Sequence, residues 1–237
     1  YAIGVAQPLS IYIDLNGNGK FDEADPAVPG SITEPFVITQ FDDSDTPLDE
    51  SGWFEFDNLL PGSYVIAEEM QDGWHQSYPI GAGGVPGATG SHLVIVNGQQ
   101  ASGVLFGNYR PATIEGIKWH DENGDGKRQL ITSGTHRGDL GLGGWIIYLD
   151  LNANGRLDRD PHTGQPLEPI AITSQDDPTT PEDEAGRFSF TGLPPGQYIV
   201  AEVMQPGWVQ SIPAQSGRKT IFVDMAEGGK ASVEFAN

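Results

Sequence analysis

The sequence predicts an all-β protein built as two tandem β-sandwiches, and two observations carry that prediction. Its apolar segments are short, alternate with polar residues and are separated by Gly, Pro, Asn and Asp, the pattern of half-buried strands joined by turns rather than of helices. With 32 Gly and 18 Pro the connections are turn-rich, yet the regular alternation argues against disorder. The chain also repeats itself. Residues 41–56 align without a gap with 175–190, and 60–77 with 194–211, at one offset, since 175 − 41 and 194 − 60 both give 134. The duplication sets a first domain at 1–110 and a second at 111–237, with the seam near Arg110-Pro111-Ala112.

Taken in order, the alternation predicts strands in the first repeat at 9–13, 36–40, 53–57, 63–68, 92–96 and 103–106. In the second it predicts 114–119, 145–149, 170–174, 187–190, 197–203, 219–223 and 231–235. The second repeat opens with the strand at 114–119, whereas the first has only residues 1–6 ahead of its next strand. Either 1–6 form a shortened first strand, or that strand comes from upstream or from another subunit. A chain that starts at Tyr1 reads as a processed or excised piece of something longer. A sandwich without a full first strand exposes a sheet edge, which invites strand addition.

Between strands an acidic motif occurs three times. A hard cation such as calcium takes six to eight oxygens, and a loop supplies them from side chains at positions 1, 3 and 5, a carbonyl at 7 and groups at 9 and 12, with a turn-making Gly at 6. The first copy places Asp14, Asn16, Asn18, the Lys20 carbonyl, Asp22 and Asp25 on those slots. The second offers Asp121, Asn123, Asp125 and the Lys127 carbonyl, but carries Gln129 and Thr132 at the last two and needs a substitute acid. The third offers Asp150, Asn152, Asn154, the Arg156 carbonyl and Asp158, with Pro161 in the last slot and Asp160 one residue early. Such runs also occur as plain tight turns, and that alternative stays open.

Two matched loops hold Asp42, Asp43, Asp45, Asp49 and Glu50, and Asp176, Asp177, Asp183 and Glu184. Carboxylates this close repel unless solvated or metal-bound. Asp42, Asp43, Asp49, Asp176, Asp177 and Asp183 are therefore further candidate ligands, with a solvated loop as the alternative.

Charge and composition exclude several classes. With 33 acidic against 12 basic residues the net charge is −21, which self-repels unless counter-ions offset it and disfavours nucleic acid or an anionic membrane as partner. Cys is absent, so disulfides and zinc-thiolate sites are excluded. No apolar stretch approaches the roughly 20 residues that span a bilayer, so direct membrane insertion is not expected. His75, His92, His120, His136 and His162 form no spaced ligand set, and Ser and His fall in no nucleophile motif. Enzyme function has little support. Trp74 and Trp208, in matched Gly-Trp turns, could stack on a sugar or cover the end of a sandwich.

Several short elements in one order carry a resemblance. They are Gly116-Ile-Lys-Trp119-His-Asp121-Glu-Asn123-Gly-Asp125-Gly126, Gly143-Gly-Trp145, Tyr148-Leu-Asp150-Leu-Asn152, Gly186-Arg-Phe-Ser-Phe190, Leu193-Pro-Pro-Gly196-Gln-Tyr198, Glu202, Gly207-Trp208 and Phe235-Ala-Asn237. The chain resembles the B-type repeats of serine-aspartate repeat surface adhesins, the SdrD B-like modules, relatives of collagen-adhesin B-type domains. The resemblance implies prealbumin-like or Ig-like Greek-key sandwiches with calcium in the loops, used as stalks, spacers or fibre subunits of bacterial cell-surface or secreted proteins. It implies as partners neighbouring repeats or subunits of the same protein. The runners-up are an adhesin gripping a glycan or protein, and an accessory domain of a secreted enzyme.

In such modules an acid follows the loop and precedes a turn, so 131–137 look like an insertion and Asp139 becomes the missing ligand of the second loop. Collagen-adhesin relatives can also form a Lys-to-Asn isopeptide bond promoted by a buried acid. Lys118, Glu202 and Asn237 would be that set here, unless the inward position on their strand belongs to Trp119, since neighbouring strand residues face opposite ways. The first repeat has Glu68 and Asn108 but no strand Lys.

Overall fold

The computed structural model describes residues 8–24, 27–28, 30–80, 90–98, 100–129, 138–213 and 220–237. The chain divides into two compact units, Tyr1–Arg110 and Pro111–Asn237. Among the described residues the regular structure is all β, and no helix is long and apolar enough to cross a membrane.

The first unit contains β1 (Ser10–Ile13), β2 (Phe36–Ile38), β3 (Gly62–Glu68), β4 (His75–Tyr78), β5 (Ser91–Val96) and β6 (Gly107–Tyr109). An antiparallel sheet runs β2-β1-β3-β5, and β4 pairs with β6. Along β1, Ile11 and Ile13 share one face and pack with Ile66, as the two-residue period of a strand requires. Tyr12 faces the other way and is buried, its ring 5.5 Å from that of Phe21, which in turn meets Phe36 edge-on.

The second unit contains β7 (Ala112–Trp119), β8 (Ile146–Leu149), β9 (Ile170–Ile172), β10 (Arg187–Leu193), β11 (Gly196–Glu202), β12 (Thr220–Met225) and β13 (Lys230–Ala236). One sheet runs β10-β7-β13 and the other β12-β11-β8-β9. Ile114, Phe188, Phe190, Val233 and Phe235 of the first sheet meet Ile147, Leu149, Val200, Val223 and Met225 of the second in one buried core, so the unit is a sandwich. Burying each such side chain contributes about 1.5–3 kcal/mol. β7 is the centre of its sheet, antiparallel to β10 and parallel to β13.

The structure departs from the strand expectations where pairing, not pattern, decides. Residues 53–57 and 103–106 form no strand, although their counterparts lie in β10 and β13. Those counterparts both bond to β7, through pairs such as Phe190↔Ile114 and Phe235↔Lys118. Among the described residues the first unit has no equivalent of β7, and without a ladder partner an alternating segment stays irregular. Conversely, β4 is too polar to announce itself and exists because β6 pairs with it. Residues 1–6, Lys219 and the insertion at 131–137 lie outside the described residues.

β7 needs Gly116. A methyl there would run into the Val233 carbonyl oxygen and the Phe188 ring. Gly116→Ala is expected to destabilise the second unit by about 1–3 kcal/mol through overpacking, read from chemical denaturation; an unchanged midpoint would show that the sheet yields there.

Candidate metal centres

Each acidic loop begins where a strand ends. Asp14 follows β1, and its carboxylate accepts hydrogen bonds from the amides of Gly17, Asn18 and Gly19 at 2.6, 3.2 and 2.9 Å. Folding the loop back on this acid puts Gly17 and Gly19 at φ +73° and +72°, the left-handed region that glycine enters at no steric cost. The Asn16 and Asn18 amides both donate to one oxygen of Asp22, at 2.6 and 2.8 Å. Positions 1, 3, 5 and 9 are thereby gathered into one small volume.

A second acid closes the loop from outside it. Glu34 is 2% exposed, and its two oxygens accept from the amides of Leu15 and Asp22 at 2.7 and 3.1 Å. Glu168 does the same to Leu151 and Asp158 at 2.9 and 3.1 Å. Asp139 does it to Glu122 and Gln129 at 3.4 and 2.6 Å. In all three loops one buried carboxylate therefore clamps the amides of positions 2 and 9.

The three loops are chemically equivalent despite different spellings. Asp121 accepts from the amides of Asp125 and Gly126, and Asp150 from those of Asn154 and Gly155. Gln129 at position 9 donates to Asp125 at 2.9 Å, reversing the pairing of Asn154 with Asp158. The loops thus hold Asp14, Asp22 and Glu34; Asp121, Asp125 and Asp139; and Asp150, Asp158 and Glu168, three carboxylates apiece.

Neighbouring phenols register this concentration of charge. Burial, then Asp14, Glu34 and Asp22, push the Tyr12 hydroxyl up to about 12. Burial, then Asp150, Glu168 and Asp158, do the same to Tyr148. Asp158 is held below the ordinary carboxylate value by Asn152, then by Asn154 and Arg156.

Other candidate residues have different duties. Asp160 caps its own turn, accepting from His162 and Thr163 at 2.7 and 2.9 Å, and the place by the third loop belongs to Glu168. Asp25 lies outside the described residues. The side chains of Asp43, Asp49, Asp177 and Asp183 each accept from the amide two residues on, while Glu50 and Glu184 take the hydroxyls of Thr46 and Thr180. Asp42 and Asp176 are exposed beside them, so the two segments are matched turns in which Asp43, Asp49, Glu50 and their counterparts accept from their own loops.

Among the described residues no group of three or more His, Asp or Glu is drawn together as a metal cluster, and the first acid and the clamp acid of each loop accept from amide N–H donors. Their oxygens, with the Asn oxygens and the carbonyls of Lys20, Lys127 and Arg156, are of the hard type that calcium takes. Glu34 and Glu168 escape a reading confined to twelve residues. Their signal is a repeated Glu-Pro at the duplication offset, just ahead of a strand.

A buried charge pair lies apart from the loops. Lys118 Nζ is 2.8 Å from Glu202 Oε2, both side chains fully buried, and 4.4 Å from the centre of the Trp145 ring. Burial lowers the lysine's pKa against the opposing pull of Glu202. Lys118 and Trp119 are both fully buried, one on each face of β7, so the tryptophan does not displace the lysine. Asn237 follows directly on β13, two residues beyond Phe235, the register partner of Lys118.

In the first unit Glu68 is buried and accepts from Asn108 at 2.9 Å. Burial pushes its carboxyl up to about 7. Trp208 packs on Trp145 and His120, and Trp74 lies under Arg110, so both rings contact their own unit.

No family model matches the chain. Among curated proteins it is similar to Colossin-A of Dictyostelium discoideum, 24% identical over 217 residues that make up 90% of this chain and 2% of that protein. The chain therefore spans a small fraction of this relative. Among solved structures, GBS52, the minor pilin of Streptococcus agalactiae, is 14% identical, with 97% of this chain and 82% of that one covered and a TM-score of 0.30. The Bacillus anthracis TIE protein is 16% identical over 98% and 35%, with a TM-score of 0.31. BcpA, the major pilin subunit of Bacillus cereus, is 15% identical over 76% and 40%, with a TM-score of 0.29.

Two expectations follow from the geometry. Ala153 takes the position of Gly17 and Gly124 at φ +59°, where a side chain costs about 1–2 kcal/mol. Ala153→Gly is expected to raise stability by up to about 1 kcal/mol, the relief being partly offset by the freer unfolded chain; a thermal melt that moves down would contradict it. Glu68, raised from 4.5 to about 7, holds in the folded chain a proton that the unfolded chain has released. Its contribution is full below 4.5 and is lost as pH rises to about 7. Urea midpoints should fall across that window less steeply in Glu68→Gln than in the parent, and parallel slopes would refute the assignment.

Proposed function

We propose that this chain is a non-enzymatic, calcium-stiffened structural module of an extracellular or cell-surface protein, acting as stalk, spacer or fibre subunit beside neighbouring repeats or subunits of the same protein. The observation that carries the reading is the recurrence of one loop architecture three times, each with three carboxylates, one of them a buried clamp acid. Calcium would be held by Asp14, Asn16, Asn18, the Lys20 carbonyl, Asp22 and Glu34, by the matching set ending in Asp139, and by that ending in Glu168. A bound dication supplies the counter-charge for each cluster. A chain at −21 without a cysteine gains from this a cross-link that a disulfide would otherwise provide. Glycan or protein recognition through the loops is the runner-up, which binding to a glycan array would favour.

Binding to the folded state alone stabilises by about 2.7 kcal/mol per site at 100 times the dissociation constant. Thermal midpoints should therefore climb with free calcium and fall in a chelator. Glu34→Gln should remove one bound ion from a calorimetric titration while the other two remain. A midpoint indifferent to calcium would sink the reading.

The buried pair of Lys118 and Glu202 at 2.8 Å supports a second element, an amide between Lys118 and Asn237. The lysine nitrogen would bond to the asparagine carboxamide carbon and ammonia would leave, with Glu202 passing the proton. The intact protein should then weigh one ammonia less than its sequence, and Glu202→Ala should restore the full mass. A parent protein of full mass would exclude the bond.

A further inference from the structure

The second loop is built against both partners of the amide between Lys118 and Asn237. Its first acid, Asp121, stands two residues past β7, and its backbone amide donates to the Asn237 carbonyl at 2.8 Å. The Asn237 amide donates in turn to the Trp119 carbonyl at 3.3 Å. One residue back, the Ala236 carbonyl accepts from the amides of Ser211 and Ile212 at 2.8 and 3.2 Å, and the Ile212 side chain lies where a Cβ on Gly126 of the loop would touch it, at 3.7 Å. The clamp acid reaches the lysine side. Asp139 opens a segment whose Leu140 carbonyl accepts from the His120 amide at 2.9 Å and whose Leu142 amide donates to the Lys118 carbonyl at 2.8 Å. Asp121 holds the loop amides of Asp125 and Gly126, and Asp139 those of Glu122 and Gln129. One loop therefore braces the backbone of the nucleophile and of the acceptor. The third loop is anchored elsewhere, the Asp150 amide donating to the Ile199 carbonyl of β11 in the other sheet.

The acceptor side chain is buried but turned aside. The Asn237 Nδ2 lies 3.9 Å from Met204 Sδ, and its Oδ1 is buried without a hydrogen bond among the described residues. A thioether is a weak acceptor, so this contact costs little to give up. The first unit shows the other orientation. Asn108 follows Phe106-Gly107 as Asn237 follows Phe235-Ala236, and its Nδ2 donates at 2.9 Å to Glu68, the counterpart of Glu202. The same orientation at Asn237 would aim its carboxamide at Glu202 and at the lysine 2.8 Å from that acid.

We propose that the second loop is a calcium-dependent positioning device for this amide: Asp121 and Asp139, ordered when the ion is bound, fix Asn237 and Lys118 in register, so that the bond forms in the calcium-loaded chain far faster than in the free one. This gate rests on both the calcium loops and the amide. The step itself belongs to three side chains. Lys118 as the free amine bonds to Asn237 Cγ, the Glu202 carboxyl gives its proton to Nδ2 and takes one from the attacking nitrogen, and the Cγ–Nδ2 bond breaks to release ammonia. A misplacement of about 1 Å in either reactant costs on the order of 100-fold in rate.

The test follows the intact mass of the 237-residue chain as it is made in a cell-free extract, with excess calcium or with a calcium chelator. The parent should lose one ammonia in calcium, and lose it about tenfold more slowly or worse in the chelator. Asp121→Asn and Asp139→Asn should be slow even in calcium. Val223→Ala, which weakens the core of the same unit from β12, should keep the parent rate and so separates positioning from general loss of stability. Calorimetric titration of the parent with calcium tells the failures apart. Calcium binding with equal rates in calcium and chelator, or loop variants at the parent rate, would overturn the gate alone. Full mass in every sample would overturn it together with the amide, and no heat of calcium binding would overturn it together with the calcium reading.

Discussion

The clamp carboxylate is the interaction on which each loop depends. A twelve-residue acidic turn has no core of its own, and its amides must find acceptors once they leave water. Glu34, Asp139 and Glu168 supply two at once, tying the second and ninth positions together at the end of a strand. The first acid of each loop gathers the amides of the turn proper. With the loop ends fixed, the Asn16 and Asn18 side-chain amides reach Asp22, and those of Asn152 and Asn154 reach Asp158. The same carboxylates act on Tyr12 and Tyr148 at a distance, which ties the loop electrostatics to the sheet beneath.

The second constraint is the central strand. A sheet segment is stable when both its ladder and its apolar face are satisfied, and β7 provides both for β10 and β13. Where no counterpart is described, segments of nearly the same sequence lie irregular, and the fully buried core shrinks to Ile11, Ile13 and Ile66. Among the described residues one repeat sequence therefore yields two degrees of order, which follow the presence of a ladder partner.

The buried charges follow the same logic. Lys118 and Glu202 are costly to bury singly and tolerable as a pair. Glu68, with amide partners in place of a lysine, is driven toward its neutral form. The two units thus carry the same acid with different partners, a lysine at Glu202 and an amide at Glu68.

By itself the sequence determined the all-β class, the duplication and the three loops, because alternation, a constant offset and glycine-punctuated acids are local patterns. The resemblance to SdrD B-like modules, rather than the spacing of the loop itself, pointed to Asp139, which clamps the second loop. The sequence could not show that Glu34 and Glu168 serve that role in the other loops, since they stand 20 and 18 residues from Asp14 and Asp150 (34 − 14 and 168 − 150) and only the return of the chain brings them back. Nor could it show that 53–57 and 103–106 fail to become strands, or that the polar β4 forms. Strand formation belongs to a pair of segments, and Lys118 faces inward only because β7 is sandwiched between β10 and β13. Those outcomes rest on contacts between residues far apart in the chain, which the tertiary structure alone decides.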